Sequence, residues 1–97
     1  MNDFDRLLVQ IREEAEAEGP AAVAELENLS ARYDLAVQLI TRRHEVGLTQ
    51  VQLAEASGIA QSAISRIEQG QANPTVSTLS ALARALDASL TLTARAS

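Results

Sequence analysis

The sequence predicts an all-α fold, and three observations support this prediction. The 97-residue chain holds one Phe, one Tyr and no Trp, although 46% of its residues are hydrophobic. Its core must therefore come from aliphatic residues and alanines, which favour closely packed helices. Apolar residues recur at intervals of three and four, and glycines divide the second half into short segments of helical length. We expect a five-helix domain with an N-terminal helical arm and a short C-terminal β-strand.

The arm, residues 1–34, is predicted to be helical and acidic. Phe4, Leu7, Leu8 and Ile11 have the spacing of an amphipathic helix. Nine acidic residues, Glu13 and Glu14 among them, stand against three arginines, which gives the arm a net charge of −6. An apolar row beside so many carboxylates indicates a binding surface for a basic partner, and the alternative is a solvated helix without one.

Gly19-Pro20 ends the first helix, because proline lacks an amide hydrogen but fits the first turn of a new helix. From there the helical spacing continues as far as Gly47. Residues 20–46 are compatible with one long helix or with two. If there are two, the break between them is best placed at residues 28–30, because Ser30 is a good N-cap residue.

Two short helices with a tight turn follow. Thr49 and Gln52 have the spacing of a capping box, which predicts a helix over 50–57. Gly58 supplies a left-handed residue at its end, and a second helix is predicted over 61–69.

The second of these helices has two distinct faces. At 100° per residue, Ala63, Ile64 and Ile67 fall on one side and predict its buried face. The opposite face holds uncharged polar residues and one arginine, and no acid: Gln61, Ser62, Ser65, Arg66 and Gln69. Amides, hydroxyls and a guanidinium are the groups that bind base edges in the DNA major groove. Glu68 lies at the flank of this face, where we expect an ion pair with Arg43.

The chain after Gly70 is predicted to supply the last helix of a domain that spans residues 35–88. Residues 89–97 are predicted to extend beyond this domain. Thr75 is a suitable N-cap for a further helix. Polar and apolar residues alternate over 89–93, the period of a strand. Because the chain offers no partner strand, we expect residues 89–97 to pair with another molecule, and a second copy of the chain is favoured. The alternative is that Leu90 and Leu92 cover the domain's own core. The dimer contacts are predicted at Leu86, Leu90 and Leu92.

Several classes of protein are disfavoured by composition. The chain has no cysteine and a single histidine, His44, so we expect no metal site, no cofactor and no nucleophile–base pair, and the chain is not predicted to be an enzyme. No apolar run approaches the 20 or so residues that span a bilayer, and the acidic N-terminus is unlike a signal peptide. We expect a cytoplasmic protein without membrane contact.

The motifs from Gly47 to Leu86 closely resemble the phage-repressor-like (XRE) helix-turn-helix family. They are Gly47-Leu48-Thr49-Gln50, Leu53-Ala54, Gly58-Ile59, Ile64-Ser65-Arg66-Ile67-Glu68, Gly70, Asn73-Pro74 and Leu79 to Leu86. The resemblance implies a helical domain whose second motif helix enters the major groove of a pseudo-palindromic operator. By position, Gln61, Ser62 and Arg66 would contact bases, and Gln50 and Asn73 would contact phosphate. Ala60 departs from the pattern, because members often have a capping Ser or Thr there.

The acidic arm and the alternating tail resemble HigA-type antitoxins of toxin–antitoxin operons. This resemblance implies a homodimer that represses its own operon and neutralises a basic, HigB-type ribonuclease toxin. The contacts to that toxin are expected on Phe4, Leu7, Leu8, Ile11, Glu13 and Glu14. The alternative is a stand-alone XRE-type repressor without a toxin partner, in which the arm serves only dimer packing.

Overall fold

The computed structural model describes residues 2–94 and is entirely helical and irregular over that range. Five helices follow one another: α1 (Asp3–Glu18), α2 (Pro20–Val46), α3 (Gln50–Ser57), α4 (Gln61–Glu68) and α5 (Val76–Ala85). The all-α prediction is confirmed. The chain divides into two compact units between Ala31 and Arg32, a boundary that lies within α2.

The first unit contains α1 and the beginning of α2. The side chain of Asn2 caps α1 by accepting a hydrogen bond from the amide of Asp5 at 2.8 Å. Gly19, with φ +119°, ends the helix as the sequence predicts. Arg12 and Glu27 approach to 3.8 Å, but both side chains are about half exposed, so this ion pair adds little stability.

The question of one helix or two over 20–46 is settled, because α2 is a single helix of 27 residues. Neither glycine nor proline interrupts it between Pro20 and Gly47. Ser30 is an interior residue rather than a cap. Serine is a modest helix former, and its capping potential acts only where the chain leaves helical geometry.

In the second unit the predicted helix-capping residues are confirmed. Thr49 and Gln52 form the reciprocal capping box of α3, and Gly58 ends this helix in the left-handed conformation with φ +76°. Ala60 precedes α4 without a side-chain cap. Thr75 caps α5 by accepting from the amide of Thr78 at 3.1 Å.

The core of the second unit is aliphatic. Six buried side chains from α2, α3, α4 and the end of α5 form it, namely Leu39, Leu53, Ile64, Ile67, Leu82 and Leu86. Leu53 and Ile64 are completely buried. Burial of each such side chain stabilises the fold by about 1.5–3 kcal/mol, and α4 joins this core through its two isoleucines.

The C-terminal segment after α5 has no strand among its described residues, 88–94. The predicted strand over 89–93 is thus not formed within the single chain, because strand hydrogen bonds need a second strand. Residues 95–97 of the predicted dimerisation strand lie outside the described residues. The end of α5 is fixed by Arg42, whose Nε donates to the carbonyl of Leu86 at 2.9 Å. Among residues 2–94, no helix is both long and apolar enough to cross a membrane.

Candidate nucleic-acid interface

Helix α4 presents the two faces that its sequence predicts. Ile64 and Ile67 are 0% and 2% exposed and pack into the core. Gln61, Ser62, Arg66 and Gln69 are exposed, and Ser65 is partly buried. Because the isoleucines fix the rotation of α4, these polar side chains are held on a rigid, outward-facing surface, which we call the α4 polar face.

The α4 polar face has few internal contacts to compete with a ligand. Gln69 Nε2 donates to Ser65 Oγ at 3.1 Å. Arg66 makes no ion pair with any residue from 2 to 94. Its guanidinium therefore keeps all of its donors available for an acceptor outside the chain.

The two residues predicted to contact phosphate differ in their exposure and in their hydrogen bonds. Asn73 is exposed in the loop between α4 and α5. Gln50, at the start of α3, is partly buried, and its Nε2 donates to Glu68 Oε1 at 3.1 Å. The amide of Gln50 thus supports an ion pair inside the domain, a role that its position at a helix N-terminus does not indicate.

That ion pair joins α2 to α4, as predicted for Arg43 and Glu68. Arg43 Nε and Nη2 each donate to one carboxylate oxygen of Glu68 at 2.8 Å. A third donor, Nη1, reaches the carbonyl of Leu48 at 3.0 Å. The side chains of Arg43 and Glu68 are only 12% and 5% exposed, so this bidentate pair is largely shielded from water.

The pair changes the acidity of both groups. Burial raises the pKa of Glu68, but hydrogen bonds from Arg43 and Gln50, together with the nearby positive charges, outweigh it and leave that pKa below its ordinary value. The hydrogen bond with Glu68 raises the pKa of Arg43. Both groups are therefore charged at neutral pH, and Glu68 adds no free negative charge to the flank of the α4 polar face.

One residue beside this surface is not indicated by the sequence pattern. Arg32 lines a groove of about 420 Å³ together with Arg66 and with residues of the loop and the first turn of α5. In the sequence it falls within the acidic arm, 34 positions before Arg66. No local spacing brings two such distant positions together, so only the fold reveals their proximity.

The residues predicted for partner binding lie on exposed surface, with one exception. In the arm, Phe4 is 65% exposed and Leu7, Leu8 and Ile11 are 51%, 49% and 38% exposed, and Glu13 and Glu14 are also exposed. At the other end of the chain Leu90 and Leu92 are exposed. Leu86 is only 2% exposed, so its side chain serves the core of the domain and does not extend the exposed pair.

Among residues 2–94 there is no group of three or more His, Asp or Glu side chains placed to hold a metal ion.

Comparison with known proteins agrees with this geometry. The model of the HTH_3 helix-turn-helix family matches residues 39–92. The chain is 40% identical over 68 residues to an HTH-type transcriptional regulator of Haemophilus influenzae, covering 70% of this chain and 69% of the relative. It is 38% identical over 79 residues to antitoxin HigA1 of Mycobacterium tuberculosis, covering 81% of this chain and 53% of the antitoxin.

A solved structure shares the fold. The HTH_3 family transcriptional regulator from Vibrio cholerae superposes with a TM-score of 0.62 at 31% identity, covering 64% of this chain and 35% of that one. The chain thus spans about half of the antitoxin and a third of the regulator of known structure.

Proposed function

Because the chain belongs to the HTH_3 family of helix-turn-helix DNA-binding transcriptional regulators, which are not enzymes, we propose that it is an antitoxin and autorepressor acting in the cytoplasm. A homodimer binds a pseudo-palindromic operator in its own promoter, and the N-terminal arm neutralises a basic, HigB-type ribonuclease toxin. The observation that carries the DNA-binding part is the α4 polar face, held outward by Ile64 and Ile67.

DNA binding follows from the groups on that face. Gln61 and Gln69 offer amides suited to adenine, Arg66 a fork suited to guanine, and Ser62 and Ser65 hydroxyls for close approach. Asn73 in the neighbouring loop contacts phosphate. Because residues 35–97 carry five arginines against four acids, non-specific attraction to DNA is weak and these few contacts carry the specificity.

Dimer formation is assigned to residues 89–97. Leu92 is fully exposed and Leu90 is 47% exposed, on a segment with the alternation of a strand but without a partner strand among residues 2–94. Pairing with a second copy covers both leucines and satisfies the strand's backbone groups. Two α4 helices then meet half-sites about 34–36 Å apart on the operator.

The toxin partner is assigned to the arm. A row of exposed apolar side chains on α1 lies among carboxylates in a segment with a net charge of −6. This combination suits a basic protein that buries the apolar row and neutralises the charge. The relationship to antitoxin HigA1 supports the same assignment.

Arg66→Ala is expected to weaken binding to the operator by about 1–3 kcal/mol and to relax the preference at one base position. Fluorescence anisotropy with the duplex upstream of the gene, and with its single-base variants, measures both effects. Arg84→Ala is the matched control, because Arg84 is another exposed arginine but lies on α5. Equal affinity and equal base preference in the wild type and Arg66→Ala would show that Arg66 does not contact the bases.

Deleting residues 1–31 is expected to leave operator binding nearly unchanged and to abolish capture of the basic protein encoded beside the gene. The cut is placed before Arg32, where the second compact unit begins. Gel shift and pull-down measure the two activities, and the double variant Leu7→Glu, Leu8→Glu tests the same surface in the full-length chain. Undiminished capture by the truncated chain would refute the role of the arm, and no capture by the full-length chain would favour a stand-alone repressor.

A further inference from the structure

The groove between α4 and α5 concentrates positive charge. Besides Arg32 and Arg66 it is lined by Asn73, Thr75 and Thr78, and no acidic residue lines it. Gln71 lines it as well, so residues with two amides, two hydroxyls and two guanidinium groups surround one concave space of about 420 Å³. We call this the α4–α5 groove.

Arg32 is the unusual member of the groove. It is partly buried, its Nε is inaccessible to solvent, and this atom has no hydrogen-bond acceptor among residues 2–94. Nor does Arg32 form an ion pair within that range. A buried N–H group without an acceptor is costly, and the positive charge of the same guanidinium remains available to an anion bound in the groove.

The position of Arg32 is fixed by its neighbour. The ring of Tyr33 covers Gly70, and a Cβ added to that glycine would lie 3.1 Å from the ring. Gly70 begins the loop that carries Asn73, so this contact holds the start of the second unit against the loop after α4. Arg32 therefore lies beside the groove on a helix that is packed against the loop, and not on a free chain end.

The groove chemistry suits a phosphate group. Arginine binds tetrahedral oxyanions through two parallel N–H donors. The Thr75 hydroxyl already donates to Thr78 Oγ1 at 3.2 Å, so the further donors are the Thr78 hydroxyl and the side-chain amides of the loop. The Thr75 end of α5 adds the partial positive charge of a helix N-terminus. Arg66 belongs both to the groove and to the α4 polar face, so the groove adjoins the surface that is proposed to contact bases.

We propose that the α4–α5 groove binds a phosphate of the DNA backbone, with Arg32 as its main charge. This inference rests on the proposed DNA binding. It adds to the interface a residue that lies outside the matched family segment, 39–92. Arg32 contributes affinity without sequence preference, since backbone contacts carry no direct base information.

The test is the salt dependence of binding for Arg32→Gln, with Arg84→Gln as the control that removes the same charge outside the groove. Affinity of Arg32→Gln falls by the same factor on the upstream duplex and on a scrambled duplex. The slope of log K against log salt becomes shallower by about 0.9 per protomer, or about 1.8 for a dimer on two half-sites. Arg32→Lys, which keeps the charge, restores most of the slope.

A shallower slope for Arg32→Gln alone supports the proposal. Equal slopes for Arg32→Gln and Arg84→Gln, with wild-type DNA binding intact, overturn it and leave the proposed function standing. If the wild type binds no duplex, the proposed function fails, and melting in inorganic phosphate against chloride at equal ionic strength decides about the groove. A rise in Tm that Arg32→Gln abolishes then supports a phosphate site, and no rise overturns it.

Discussion

Replacement of Glu68 by alanine is expected to destabilise the second unit by about 3–5 kcal/mol, the usual cost of removing one partner from a buried ion pair. The change leaves the guanidinium of Arg43, 12% exposed, without its carboxylate. It also removes the acceptor of the Gln50 amide. Urea unfolding followed by circular dichroism at 222 nm measures the loss, and a difference below about 1 kcal/mol would contradict the structural role of the pair.

The pH dependence of this effect identifies its origin. Because the pKa of Glu68 is lowered in the folded chain, the stabilisation by its charge is complete above the ordinary glutamate pKa and is lost as the pH falls through the folded value. The isosteric variant Glu68→Gln has no charge to titrate. The stability gap between the wild type and Glu68→Gln is therefore expected to be largest near neutral pH and to shrink in acid. A gap that stays constant would show that packing, not charge, is responsible.

Ile64→Ala is expected to cost about 2–5 kcal/mol, because a completely buried side chain is replaced by a cavity that the surrounding core only partly closes. Val76→Ala provides the control, since Val76 is 73% exposed and surface changes of this kind usually stay within about 0.5 kcal/mol. Both variants are compared by urea unfolding. If Ile64→Ala were as mild as Val76→Ala, α4 would not be anchored through its isoleucine face.

Much of the second unit could be predicted from local sequence signals. Thr49 and Gln52 mark the start of α3 through their side-chain hydrogen bonds, and the glycines at 58 and 70 mark helix ends through left-handed backbone conformations that few other residues adopt. Helix α4 is short enough for its two faces to be unambiguous. The helix break considered near Ser30 shows the limit of such local signals, because the structure has a continuous helix there. A capping residue permits a helix to begin but does not require it, and the length of α2 depends on the continuous helical tendency around it.

The candidate site was predictable to the extent that it lies on one helix. The α4 polar face follows from the angular spacing of its residues, and the Arg43–Glu68 pair from the position of Glu68 at the flank of that face. The structure gives Gln50 and Leu86 contacts that the sequence pattern does not indicate, because long-range packing decides them: the side chain of Gln50 reaches Glu68 and that of Leu86 fills the core. Arg32 enters the groove through the packing of α2 against the loop after α4, a contact between segments about 40 positions apart that no periodicity encodes.

Whether α4 enters the major groove can be measured directly by NMR, in a titration of the ¹⁵N-labelled protein with the duplex upstream of its gene. If α4 lies in the major groove, the largest amide shift changes fall on Gln61, Ser62, Ser65 and Arg66, and they are smaller with a scrambled duplex. Shift changes confined to the arm or to the C-terminal segment, with the α4 amide shifts unchanged, would show that α4 does not enter the major groove.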